Sequence, residues 1–175
     1  MGKQIYTVDI DRAVRQYADM VYRLAVSNTK VVQDAEDVFQ EVFVRLVRYK
    51  DKIEDEEHLK AWLIRVTINE ARRLADNTWN KNVNLGYTDD ESALIPPEEV
   101  GNSSPEEEYI ASETSDSILK TVQELPQMYR EVVHLHYYED LKISKISDIL
   151  GINEATVKTR LRRAREMLEK VLKKD

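Results

Sequence analysis

Four side chains near the C-terminus, Lys158, Thr159, Arg162 and Arg163, could hold or read a polyanion. They lie within residues 153–174, a stretch with 8 Lys/Arg against 3 Asp/Glu. At 100° per residue, Val157, Leu161, Ala164, Leu168 and Val171 share one side of a helix, and Ala155, Thr159, Arg162, Arg163 and Glu166 share the other, with Lys158 on its flank. Gly151 supplies the left-handed conformation that ends a short preceding helix, in which Ile143, Ile146, Ile149 and Leu150 face inward; Asn153 can cap the second. This is a helix-turn-helix pattern. Arg and Lys can donate to guanine N7 and O6 in a major groove, Ala155 and Thr156 permit close approach, and surplus cations reach phosphates. The plain alternative is a helical hairpin with a solvated basic face. Cap, turn, core spacing and basic face agree, which favours DNA.

Two further constellations lie upstream. Arg65, Asn69, Arg72 and Arg73 fall within about 100° of arc on one helix, a stripe able to hold phosphates and hydrogen-bond an unstacked base. Trp62 beside it could stack on DNA or, half-buried, brace the neighbouring loop. Asp37, Gln40 and Glu41 occupy the polar face of another helix, free for basic groups on a partner; intrahelical pairing such as Glu41 with Arg45 is the bland reading.

Other candidates fall away. The chain has no cysteine, so it has no disulfide, thiolate metal site or cysteine nucleophile. His134 and His136 are two apart on a helix and point to different faces, a poor metal pair, and His58 has no obvious partner. Neither a glycine-rich phosphate loop nor a nucleophile elbow occurs, and no acid pair outranks surface charge. The expectation is a protein that is not an enzyme, with no cofactor, no metal and no small-molecule substrate.

The elements that position these residues are helices. With 42% hydrophobic and 34% charged residues but only 4 Gly and 4 Pro in 175, an all-α fold is expected. The spacing predicts helices over about 9–27, 34–49 and 57–76, with a polar loop at 50–56. In the second, Ala35, Val38, Phe39, Val42, Phe43, Leu46 and Val47 form one apolar stripe. Residues 77–114 hold Pro96, Pro97, Pro105 and the runs Asp89-Asp90-Glu91 and Glu106-Glu107-Glu108, and read as a flexible acidic linker, with a helix opening near Ser104. A further helix to about Glu124, another from Pro126 to near Tyr138 and the helix-turn-helix complete a second small domain. The expected division is therefore 1–76, 77–114 and 115–175.

Charge follows this division. The net −7 splits into −1 over residues 1–76, −9 over 77–116 and +3 over 117–175, so the excess acid sits in the linker and the ends remain free to bind nucleic acid. No apolar run approaches bilayer length and the N-terminus lacks a signal-peptide core, which makes a cytoplasmic protein the expectation.

Leu125-Pro126, Tyr137-Tyr138-Glu139-Asp140-Leu141, Ile149-Leu150-Gly151 and Thr156-Val157-Lys158-Thr159-Arg160-Leu161-Arg162-Arg163-Ala164-Arg165 together resemble the fourth conserved region of extracytoplasmic-function sigma factors, a subfamily of the sigma-70 family. Asp34-Ala35-Glu36-Asp37-Val38-Phe39-Gln40-Glu41-Val42-Phe43 and Ala61-Trp62-Leu63-Ile64-Arg65-Val66-Thr67-Ile68-Asn69 resemble the second region of the same subfamily. The resemblance implies a transcription initiation factor of a stress or envelope-signal regulon. In this reading Asp37, Gln40 and Glu41 bind core RNA polymerase. Arg65, Asn69, Arg72 and Arg73 contact the −10 promoter element, and Lys158, Thr159, Arg162 and Arg163 the −35 element. The loop 50–58 corresponds to a pocket for a flipped base, though Asp51, Glu54, Asp55, Glu56 and Glu57 make it more acidic than in many members. An anti-sigma partner, often membrane-bound and able to hold the protein there, is also implied. A stand-alone helix-turn-helix regulator would leave Asp37-Gln40-Glu41 and the Arg65–Arg73 stripe without a task. A module that only sequesters an anti-sigma partner is the third possibility.

Overall fold

The computed structural model describes residues 5–79 and 120–174, and every regular element among them is helical. The expected linker 77–114, its helix near Ser104 and the start of the helix before Glu124 fall largely outside the described residues.

Three helices form the N-terminal unit: α1 (Ile10–Asn28), α2 (Val32–Tyr49) and α3 (Glu56–Trp79), with a 3-10 turn at Lys50–Lys52. The Asp9 side chain caps α1 by accepting from the Arg12 N–H at 3.2 Å. At its other end, Asn28 and Thr29 side chains donate to the carbonyls of Leu24 and Ala25, four residues back. Asp55 accepts from the His58 N–H at 2.7 Å and so opens α3. Val21, Leu24, Val38, Val42, Leu46, Leu63, Ile64 and Ile68 are fully or almost fully buried between the three helices. Val47, expected inward, is half exposed: its position lies at the edge of the stripe, where no helix covers it.

The C-terminal unit contains a helical turn at 120–124, α4 (Gln127–Val133), α5 (Ile143–Leu150) and α6 (Glu154–Leu172). Pro126 sits just ahead of α4, where a missing N–H costs nothing. The expected single helix to Tyr138 instead changes at His134 into a π-helical segment, His134–Tyr138, closed by Asp140 in the left-handed region (φ 53°). Asp is among the few residues that enter that region readily. In α6, Val157, Leu161 and Ala164 are buried as the spacing predicts, while Val171 is 41% exposed because α6 outruns the helices beneath it.

The two units are not separate bodies. Val132, Leu135, Ile146, Ile149, Val157 and Leu161 belong to the same continuous buried cluster as the core of α1–α3. A smaller cluster, Val122, Leu125, Val133 and Ala164, closes the far side of the C-terminal unit.

Candidate nucleic-acid interface

The basic face of α6 is built from its N-terminus. Leu150 is followed by Gly151 at φ 67°, ψ 30°, a conformation a side chain at Cβ would oppose. The Asn153 Oδ1 then accepts from both the N–H and the hydroxyl of Thr156, each at 2.8 Å. These bonds start the helix and set its rotation, and with Val157 and Leu161 pinned in the core, Lys158, Arg162 and Arg163 point to solvent. Thr159 is half-buried and donates back to the Ala155 carbonyl at 2.9 Å. Among the described residues Lys158, Arg162 and Arg163 have no ion-pair partner, so all three charges are available to a polyanion. Two neighbouring arginines are otherwise placed. Arg165 donates to the Tyr137 hydroxyl at 2.6 Å. Arg160 turns inward, where burial lowers its pKa and Glu131 partly offsets that.

The α3 stripe is a different case. Arg65 and Asn69 are exposed, but the Arg65 Nε donates to the Ile149 carbonyl at 3.3 Å. Arg72 is half-buried and grips Glu131 of α4 with both Nε, at 2.8 Å, and a terminal nitrogen. Arg73 is bound by Glu70 one turn back, at 2.9 and 3.1 Å. The four residues share one arc as predicted, yet two of them are occupied by the C-terminal unit.

On α2, Asp37 and Gln40 are exposed, and Glu41 is paired with Arg45 at 2.8 Å, the intrahelical pairing the spacing allowed. Val44 and Val47, also exposed, continue this face, making it part acidic and part apolar. Arg45 reaches further, to Glu70 at 2.7 Å, although Glu70 is only 3% exposed. A chain of ion pairs, Glu41–Arg45–Glu70–Arg73, thus links the α2 face to the α3 stripe. Sequence reasoning missed Glu70. Its only signal is its helical position, on the side of α3 that also carries buried Leu63 and Thr67, where a carboxylate would need a cation from a neighbouring helix.

The loop 50–56 is braced rather than open. Trp62 is buried and stacks on Tyr49 (ring centroids 5.1 Å, 9° between planes), with the Lys52 ammonium 5.2 Å from the Tyr49 ring on the loop. Trp62 is therefore the loop's support and not a platform for a base. Beside it, the Tyr6 and Tyr17 hydroxyls each donate to Glu56 at 2.6 Å. The Tyr17 and Tyr6 bonds hold the Glu56 carboxyl below its ordinary value. Burial and the same carboxylate push Tyr6 up to about 12 and Tyr17 upward as well.

The histidines take structural places. His134, buried, meets Glu139 at 3.3 Å and stacks on Tyr138; His136 contacts the Leu141 carbonyl; His58 accepts from the Glu54 N–H through Nδ1. Burial alone would raise the pKa of Glu139, but the His134 bond and the nearby charges of Arg23 and Lys60 outweigh it and hold the carboxyl low. Among the described residues no cluster of three His, Asp or Glu side chains is arranged to hold a metal ion, and no helix is long and apolar enough to cross a membrane.

Residues 13–80 match the family model described as sigma-70 region 2, and residues 115–168 the model for sigma-70 region 4. The ECF RNA polymerase sigma factor SigW of Bacillus subtilis (strain 168) is 30% identical over 90% of this chain and 85% of its own length. SigM of the same organism, also an ECF RNA polymerase sigma factor, is 31% identical over 91% and 93%. Among solved structures, the sigma factor RpoE in complex with the anti-sigma factor NepR from Bartonella quintana matches with a TM-score of 0.68 at 22% identity, covering 95% of this chain and 98% of that one. CnrH in complex with the cytosolic domain of CnrY matches with a TM-score of 0.64 at 19% identity, covering 95% and 88%.

Proposed function

Because the chain belongs to the extracytoplasmic-function subfamily of sigma-70 factors, we propose that it binds core RNA polymerase and places its two helical units on the −10 and −35 elements of a promoter. The observation that carries this reading is the conjunction, in one chain, of a recognition helix with three unpaired exposed cations and an exposed face on α2 bearing Asp37 and Gln40. A DNA-reading domain alone has no use for the second feature.

In this reading α6 enters the major groove by its N-terminal half. Arg162 and Arg163 are placed to reach base edges or phosphates, and Lys158 and Thr159 to brace the backbone. Asp37, Gln40 and Glu41 dock on a basic surface of the polymerase, with Val44 and Val47 supplying apolar contact. The stripe Arg65, Asn69, Arg72 and Arg73 holds the −10 strand. Each unit binds DNA weakly, and the polymerase keeps both at the correct spacing, so that binding of one raises the effective concentration of the other. The domain division is 1–76, 77–114 and 115–175. Catalysis belongs to the polymerase; the protein works in the cytoplasm, for a stress or envelope-signal regulon. The anti-sigma factors in the two matching structures support a partner of that kind here.

Run-off transcription with bacterial core polymerase on a promoter-fragment library tests this. Discrete new start sites that depend on the protein and are lost in Arg162→Ala and Gln40→Ala are expected. Specific duplex binding without core binding or initiation would make the protein an operator-binding regulator instead.

A further inference from the structure

The two units meet through polar contacts that use the arginines assigned to DNA. Arg72 of α3 forms a two-pronged pair with Glu131 of α4, and the Arg65 Nε donates to the Ile149 carbonyl of α5. Around them, Lys145 reaches Glu57 at 2.8 Å and Arg23 reaches Glu139 at 3.6 Å. Glu131 stands out among these groups: its side chain is fully buried, whereas Glu57 is largely exposed. Glu131 also accepts from the Gln127 amide at 3.1 Å and lies close enough to Arg160 to bear on its charge. A carboxylate removed from water must be paired, and Arg72 supplies the pairing from across the interface.

A guanidinium fork binds a carboxylate and a phosphate with the same two-pronged geometry. Arg72 cannot hold both. We propose that the Glu131 face of the C-terminal unit is an internal competitor of promoter DNA, with the Glu131 carboxylate occupying on Arg72 the place of a strand phosphate. This rests on the reading of Arg72 as a −10 contact. In the closed arrangement Arg72 is taken and Arg65 is tethered to the α5 backbone, and the apolar residues Leu135, Ile146 and Ile149 reinforce closure by joining the α1–α3 core. DNA affinity of the free protein is then the intrinsic affinity reduced by the open fraction. A partner that binds the two units apart exposes the stripe, so DNA binding is coupled to assembly on the polymerase. The exposed cations of α6 are outside this interface and stay available in both arrangements.

The absence of cysteine allows a unique dye pair through Asp19→Cys and Lys170→Cys, both at exposed positions in different units. Energy transfer reads closure, and anisotropy with a mixed-sequence single-stranded oligonucleotide reads DNA binding. Glu131→Gln should lower transfer and raise DNA affinity about tenfold, the loss of a charge-assisted pair. Arg72→Ala should lower transfer without the gain in affinity, and Arg72→Glu combined with Glu131→Arg should restore transfer. Should Glu131→Gln fail to fold, Arg72→Ala still carries the closure readout, since Arg72 is partly exposed. Transfer unchanged in cooperatively melting Glu131→Gln and Arg72→Ala proteins would overturn the proposal; a drop in DNA affinity in Arg72→Ala alone would then leave the promoter reading standing. Transfer that falls while DNA affinity ignores both residues would instead overturn the role of Arg72 at the promoter, and the competition with it.

Discussion

Glu70 offers the sharpest contrast between a buried charge and an exposed one on the same chain of ion pairs. Its side chain is 4% exposed and binds Arg45 at 2.7 Å and Arg73 at 2.9 Å. Glu41, one link outward, is 34% exposed and binds Arg45 alone among the printed pairs. Glu70→Gln keeps the shape but removes the charge. Breaking a buried pair by deleting one partner costs about 3–5 kcal/mol when the survivor stays buried. Arg45 and Arg73, at 29% and 42% exposed, can turn partly to water, which brings the expectation down to about 2 kcal/mol. Glu41→Gln removes a half-exposed i,i+4 pair worth about 0.3–0.5 kcal/mol. For a chain of this size the first corresponds to a fall in Tm of about 4–8 °C and the second to about 1 °C. Thermal melts of the two variants and of Arg45→Ala, completed as a double-mutant cycle, give both values and the coupling. Equal shifts for Glu70→Gln and Glu41→Gln would refute the argument, because burial would then not decide the cost. A shift below a degree for Glu70→Gln would show that the buried carboxylate is not holding α2 to α3.

Further outcomes follow from the same geometry. Gly151→Ala should destabilise the C-terminal unit by about 1–2 kcal/mol, seen as a lower urea midpoint, while Gly151→Asn should lose much less, because Asn tolerates φ near 67°. Arg162→Ala should cost about 1–3 kcal/mol on the preferred promoter and relax specificity at one position; Lys158→Ala should weaken all sequences alike and reduce the salt slope by about 1, measured by titration at several ionic strengths. The Glu56 clamp predicts a pH window. Its folded pKa lies below the ordinary 4.5, so its stabilisation is present above that value and is lost as pH falls through the folded one. Tyr6, raised from 10.0 to about 12, contributes below pH 10 and loses its contribution as pH rises between those values. The difference in Tm between the parent and Glu56→Gln should therefore be broad and flat at neutral pH and shrink at both ends; a pH-independent difference would sink the clamp.

What the sequence by itself determined is local. Helical periodicity placed α1, α2, α3 and the helix-turn-helix to within a few residues, because the apolar spacing, the Asn153 cap and the Gly151 turn are all set by neighbours in the chain. The exposed cations of α6 were legible for the same reason: once Val157 and Leu161 are inward, Arg162 and Arg163 must be outward. Local pattern does not carry how elements meet. Whether Trp62 faced DNA or a loop was undecidable until Tyr49 was found stacked on it. The π-helical segment at His134 left no mark in the spacing, since its cause is the buried contact of His134 with Glu139. The occupation of Arg72 by Glu131 joins residues 59 apart in sequence. Charge pairing over such a separation depends on which faces the packed helices bring together, and that is settled by burial of the shared core, a property of the assembled fold and not of any one segment.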